Sequence, residues 1–384
     1  MAGFAIGLVG PFGSGCTFVS SLIEKCGYKY ISLSNILRNI AKENGHDNPT
    51  RQELQDIGNE VRRNNISFLA QKAWETMQRD LNANYVIDSI RNPEEVDYLR
   101  KNHPKFFLFG IFADQDIRWD RVKDKYSKDR RTFDEDDSRD SGEKIRYGQR
   151  VTDTFRMADI VLLNNELIRE GNDADARFKA KVKEKVDIIQ GEIPFRPTNH
   201  ETNMAMAYAS SMRSSCLKRK VGAMIVDEDG NAFSSGYNEV PSMQKTCKCE
   251  YGGCYRDGLK KEFKQGLENI IHDPDELDQT FERFKTNFKI LDYCRALHAE
   301  ESAILNVAKI GVSIGLSKAT LYTTTYPCNL CANKIAQVGI GTVVYYEPYP
   351  MPEAKAILAE KKVKQIPFEG VTYNGYFRFM EVTD

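Results

Sequence analysis

His298, Glu300, Cys328 and Cys331 are the residues of this 384-residue chain best suited to do chemistry. They stand in two short stretches, LHAEESAIL and TTYPCNLCANKI. One imidazole and two thiolates can hold a Zn²⁺ ion and leave its fourth tetrahedral position open, the arrangement of catalytic zinc. Zinc held in this way brings the pKa of a bound water down towards neutrality. Glu300 is then placed to carry protons, first as a general base and then as a general acid. Its spacing from His298 is demanding. Inside a helix, residues two apart point about 200° away from each other, so both can face one ion only where the chain enters the helix. Cys328 and Cys331 are three apart and share a helical face. Pro327 suits the start of that helix, and the helix N-terminus favours thiolates. A closed structural site is the competing reading, but that takes four protein ligands, and the fourth group here is a carboxylate two residues from the histidine.

H-x-E followed by P-C-x-x-C is the established signature of zinc-dependent nucleobase deaminases. The pattern is therefore matched here, not discovered. It implies attack of water on carbon 4 of cytosine, departure of the amino group and formation of uracil. A second group of thiols, Cys216, Cys247, Cys249, Cys254 and Cys294, precedes the first stretch. Four of them are enough to close a structural zinc site; buried thiols of a reducing compartment are the plainer reading.

Residues 10–17, GPFGSGCT, resemble a Walker A loop, G-x-x-x-x-G-K-[ST]. Gly10, Gly15 and Thr17 fit, with Gly13 and Ser14 between them, but Cys16 occupies the lysine position. Such a loop wraps backbone N–H groups around phosphate, assisted by the following helix N-terminus. A neutral thiol cannot stabilise a transferring phosphoryl group as a cation does. Nucleotide binding is thus expected from this loop in preference to phosphotransfer. Asp88 and Arg91, in VIDSIRNPEEVDYLR, stand where a nucleoside monophosphate kinase would hold Mg²⁺ and a phosphate; a capped turn and a surface ion pair explain them equally.

The elements that must position these groups follow from the hydrophobic pattern. FAIGLVG, YVIDSI, FFLFGIFA and ADIVLLNN are continuous apolar runs, as in parallel strands buried on both faces. With intervening helices they predict a doubly wound α/β domain over residues 1–190. The stretch SKDRRTFDEDDSRDSGEKIR reads as mobile and exposed. Residues 191–201, with two prolines, read as a linker. Residues 202–384 predict a second, smaller α/β domain carrying the zinc motifs, with a charged helical pair inserted at about 255–290. The net charge of −1 gives no global field for nucleic acid or membrane. No apolar run approaches the ~20 residues of a membrane helix, and an N-terminus without a signal-peptide pattern points to the cytoplasm.

CLKRKVGAMIV, GYN, C-x₄-C, CRALHAEESAIL and YPCNLCANKIAQVGI together resemble the deoxycytidylate deaminase family in order and spacing. With the P-loop half in front, the chain is similar to the two-domain anti-phage dCTP deaminases of bacteria. That resemblance implies a cytidine-deaminase-like fold behind a kinase-like one. It also implies zinc-dependent conversion of dCTP, and of dCMP, to the deoxyuridine nucleotide, draining dCTP during infection. It gives Asn238 to the sugar and the backbone around Tyr326 to the base. It assigns Cys216, Cys249, Cys254 and Cys294 to an extra metal, and leaves Cys247 without a counterpart. A homo-oligomer, dimer to hexamer, and an inhibitory regulator are its further implications. Lys218, Arg219 and Lys220 are either phosphate ligands or a solvated basic turn. Two other readings stay open. One is a nucleic-acid cytosine or adenine deaminase, and the other is a nucleotide-binding module whose zinc is structural.

Overall fold

A computed structural model of the chain describes residues 3–142, 145–166, 172–287, 293–311, 316–347 and 351–382. The backbone divides into two compact units, Met1–Glu201 with Glu369–Asp384, and Thr202–Phe368.

In the first unit, β1 (Ala5–Val9), β2 (Tyr28–Ser32), β3 (Asn84–Asp88), β4 (Phe106–Phe112) and β5 (Ile160–Leu163) lie parallel in the order β5-β4-β1-β3-β2. β1 and β4 are buried along their whole length. Such strands can be apolar at every position because helices cover both faces. β2 is the strand the hydrophobic pattern missed. It lies at the edge of the sheet, so Lys29 and Tyr30 stay exposed and interrupt any apolar run. The helices Cys16–Glu24 and Asp173–Gln190 pack Val19 and Ile23 with Phe178, Val182 and Val186 into one core.

The charged stretch after Ser127 is not a mobile loop. Residues Arg130–Ser141 form a helix whose Phe133, Asp136, Asp137 and Asp140 are buried. Arg118 binds Asp137 through two nitrogens, at 2.5 and 2.8 Å, and Arg51 and Arg91 both pair with Asp140. Composition read the carboxylates as solvated. The structure buries them because arginines from distant segments come to meet them.

The second unit holds β6 (Gly222–Val226), β7 (Ala232–Tyr237), β8 (Thr320–Thr323), β9 (Thr342–Tyr345) and β10 (Lys364–Pro367) in the order β10-β9-β8-β6-β7. β6 runs antiparallel to both of its neighbours, whereas β8, β9 and β10 are mutually parallel. The helix Ala299–Ile310 lies close against β7. A Cβ on Gly236 would come within 2.2 Å of Ala299 O, so the glycine of GYN is what admits the helix. The helices Tyr255–Glu268 and Pro274–Asn287 follow Cys254, with Phe263 stacked on Phe284 at 4.0 Å between ring centres.

The expected second-domain boundary at residue 384 needs correction. The short strand β11 (Gly370–Val371) pairs antiparallel with β5 and completes a six-stranded sheet in the first unit. The helix Tyr373–Val382 follows, and Phe379 stacks on Phe107 at 5.0 Å inside the first core. The expected linker is part of the same unit. Phe195 packs against Phe379, and the Glu201 carboxylate accepts from Thr198 N and Val371 N, each at 2.7 Å. Both units are α/β, the first doubly wound and the second smaller. Among the described residues no helix is long and apolar enough to cross a membrane.

Candidate metal centre and active site

His298 is the N-cap of the helix Ala299–Ile310, in extended conformation, and Glu300 occupies the first turn. The H-x-E spacing therefore works as the helical geometry requires, with one residue outside the helix and the other just inside. Glu301 reaches back to His298 N at 3.4 Å and closes a capping box. Cys328 is likewise the N-cap of Asn329–Val338, and Cys331 lies in its first turn, fully buried. Two helix N-termini thus bring their positive ends to the same group of ligands.

His298 Nδ1 lies 3.2 Å from Cys328 Sγ and 3.4 Å from Cys331 Sγ. Tetrahedral zinc with bonds of about 2.3 Å to sulfur and about 2.0 Å to nitrogen sets such atoms about 3.5 Å apart. All three ligand atoms lie within 4.8 Å of one another. A hydrogen bond from Cys331 and another from His298 bring Cys328 down to about 4. Cys331 is pushed up, first by Cys328 beside it and then by burial. One thiolate is welcome here and a second is not, unless a cation comes between them. The donor set fits zinc.

Glu300 is 3% exposed, and burial pushes its carboxyl above the usual range. Thr323 Oγ1 donates to Glu300 Oε1 at 3.1 Å. Thr323 ends β8 and is fully buried. Nothing in the sequence singled it out, because a threonine at a strand end is ordinary.

The other expected residues divide. Asn238 does not present a free amide. Its Oδ1 accepts from Val221 N at 2.7 Å and its Nδ2 donates to Arg219 O at 2.8 Å, so it holds the basic loop in shape. The Tyr326 side chain belongs to the core, edge-on to Tyr345, and its hydroxyl donates to Gln365. Lys218 pairs with Asp257, and Arg219 pairs with Glu347, which also accepts from Thr325 Oγ1 at 3.1 Å. Lys220 is exposed. The basic triplet is thus divided between two ion pairs and an exposed lysine, and Glu347, the partner of Arg219, is a residue that sequence reading did not find.

The expected extra set Cys216, Cys249, Cys254 and Cys294 is not gathered to metal-ligand spacing. Among the described residues, His298, Cys328 and Cys331 are the one such group. Cys249 is exposed. Cys247, two residues earlier on the helix Cys247–Tyr251 and so on its opposite side, instead lines a cavity of about 40 Å³ with Cys216, Cys254 and Cys294.

In the first unit, Gly15, at φ 102°, is the N-cap of Cys16–Glu24. The loop carbonyls of Phe12, Gly13 and Ser14 are held by Arg118, Arg121 and Asn164. Thr17 Oγ1 and Tyr30 OH both donate to Asp88 Oδ2, at 3.1 and 3.3 Å. Cys16 Sγ lies 3.6 Å from Ser14 Oγ, and burial pushes its thiol up to about 12. Thr17 and Asp88 thus meet beside the loop, and the group in the lysine position is uncharged.

Residues 197–347 match the cytidine and deoxycytidylate deaminase zinc-binding region, and residues 9–140 match an AAA domain. The deoxycytidylate deaminase of Schizosaccharomyces pombe is 30% identical over 278 residues, 72% of this chain and 74% of that protein. The deoxycytidylate deaminase of Enterobacteria phage T4 is 34% identical over 158 residues, 38% of this chain and 77% of the phage protein. That of Mycobacterium phage D29 is 32% identical over 150 residues, 39% of this chain and 95% of its own length. The first unit is accordingly a P-loop, kinase-like nucleotide-binding domain and the second a zinc-binding deaminase domain. The fission-yeast match is too long to be contained in the second unit alone, so the likeness is not confined to the zinc motifs, and the chain belongs to the deoxycytidylate deaminase family.

Proposed function

We propose that the chain hydrolyses the exocyclic amine of deoxycytidine 5′-nucleotides, dCTP foremost and dCMP second, yielding the deoxyuridine nucleotide and ammonia. The observation that carries this reading is a buried carboxylate, Glu300, in the first turn of the helix that His298 caps, beside a three-ligand set. Zinc bound by His298, Cys328 and Cys331 supplies an activated water at neutral pH. Glu300 would take one proton from that water and hand it to the ring nitrogen next to the amine as the oxygen adds to carbon 4, then take the second proton from that oxygen and give it to the amino group, which leaves as ammonia. Thr323 fixes the carboxylate while it does so. The names of the relatives favour the monophosphate. The P-loop unit in front favours the triphosphate by its likeness to anti-phage dCTP deaminases, as it does an oligomeric enzyme held back by a regulator until infection.

The test is ammonia release from dCTP, dCMP, cytidine and single-stranded DNA by zinc-loaded protein. Turnover of dCTP above dCMP, with none on DNA, is expected, together with a falling dCTP pool in infected cells that express the chain. Turnover on DNA alone would transfer the protein to the nucleic-acid deaminases.

A second zinc would have to draw Cys216, Cys247, Cys254 and Cys294 together from their places around one cavity, since they do not stand at ligand spacing without it. Cys247→Ser is then expected to lower zinc from two equivalents to one, whereas Cys249→Ser keeps both. Metal analysis that finds one zinc per wild-type chain removes this assignment.

A further inference from the structure

The start of β6 and the ends of β8 and β9 lie at one edge of the second sheet. β6 runs opposite to the other two, with Ala223 across from Thr323 and Thr323 across from Tyr345. Thr323 is the residue that touches Glu300. Just beyond that row, Arg219 before β6, Thr325 after β8 and Glu347 after β9 come together. Glu347 pairs with Arg219 and accepts from Thr325 Oγ1 at 3.1 Å. Thr323 Oγ1 also reaches Thr325 O, at 2.9 Å. Polar contacts therefore run from the buried carboxylate of Glu300 through Thr323, Thr325 and Glu347 to a guanidinium.

The backbone that carries this guanidinium is fixed. Asn238 Nδ2 donates to Arg219 O at 2.8 Å, Val221 N donates to Asn238 Oδ1 at 2.7 Å, and Gly222 N donates to Thr324 Oγ1 at 3.1 Å. The side chain is held less firmly. It is 42% exposed, against 13% for Glu347. An ion pair so open to water contributes little, and one carboxylate is a replaceable partner. Phosphate is a better one, because it carries more charge and accepts two parallel hydrogen bonds from the planar fork. A cytosine nucleotide held for deamination sets carbon 4 beside Glu300, so its phosphate lies beyond the sugar, away from that carboxylate. Arg219 is the cation to which the contacts from Glu300 lead. Lys218 pairs instead with Asp257 on the inserted helices.

We propose that Glu347 stands in for the phosphate of the substrate. It holds the Arg219 guanidinium in place and yields it to the 5′-phosphate of a cytosine nucleotide entering the site. Arg219 is then a phosphate ligand, and Glu347 is a positioning residue that sets how readily the exchange occurs. Thr325 keeps the released carboxylate at the edge of the sheet. The inference rests on the deaminase reading and assigns the phosphate end of the same site.

The test is steady-state kinetics of the zinc-loaded full chain on dCMP and dCTP, alongside Arg219→Gln, Glu347→Gln and the double variant. Arg219→Gln is expected to raise KM for both nucleotides about tenfold, as loss of a charged hydrogen bond does, with kcat unchanged. Glu347→Gln is expected to lower both KM values about threefold, the scale of a part-exposed ion pair. In the double variant the second substitution should add nothing, since its effect passes through Arg219. Should Glu347→Gln not fold, Glu347→Asp, which draws the carboxylate back from Arg219, is expected to lower KM in the same way. An unchanged KM in either single variant overturns the proposal, as does an effect of Glu347→Gln that survives without Arg219. A fall in kcat in place of a change in KM also overturns it, because that marks disturbance of Thr325 and the catalytic carboxylate. No turnover of either nucleotide by the parent chain overturns the deaminase reading, and the phosphate assignment with it.

Discussion

Glu300→Gln is expected to lower deamination by about 10²- to 10⁴-fold, the usual worth of a positioned proton carrier, while zinc content stays at the parent level. The substitution is nearly isosteric. The amide oxygen can still accept from Thr323 Oγ1, so the side chain keeps its place. Gln has much the same intrinsic helix propensity as Glu. What is lost is a group that can take and return a proton. Stability should not fall. Burial works against the ionised carboxylate, and a neutral amide at the same position relieves that cost. Ammonia release, zinc analysis and thermal melting of the same preparation check the three parts. A variant retaining a tenth of the parent activity would move proton transfer to another group.

Cys331→Ala is expected to abolish both activity and zinc at the site. The substitution leaves His298 and Cys328 as ligands, one fewer than a catalytic zinc normally takes from the protein. Chelation of the wild-type enzyme should give the same loss, reversed by added Zn²⁺; no addition should rescue the variant. The melting temperature should fall in both, because metal bound only by the folded state stabilises it. Full activity in metal-stripped protein would remove zinc from the chemistry.

The metal ligands were legible because their types and spacings are constrained by coordination geometry, which sequence displays directly. The position of Glu300 was legible for the same reason, since H-x-E can converge only at a helix start. Thr323 and Glu347 were not, because their roles arise from where β8 and β9 end, and neighbouring residues say nothing of that. The choice of Cys247 over Cys249 depends on the rotation of one short helix. Strands β1, β3, β4 and β5 declared themselves as apolar runs, while β2 hid behind the exposed residues of a sheet edge. The acidic stretch around Asp137 misled because its arginine partners are far away in sequence.

The return of β11 and the last helix to the first sheet has a bearing on biosynthesis. A ribosome releases this chain from its N-terminus, and the whole of Thr202–Phe368 emerges before Gly370 can reach β5. The zinc-binding unit can mature while its predecessor still waits for a border strand and for Phe379 to seal its interior. Removing residues after 368 is accordingly no trimming of a tail. It strips the nucleotide-binding unit of its closing piece, and a fragment ending near residue 190 starts with the same defect.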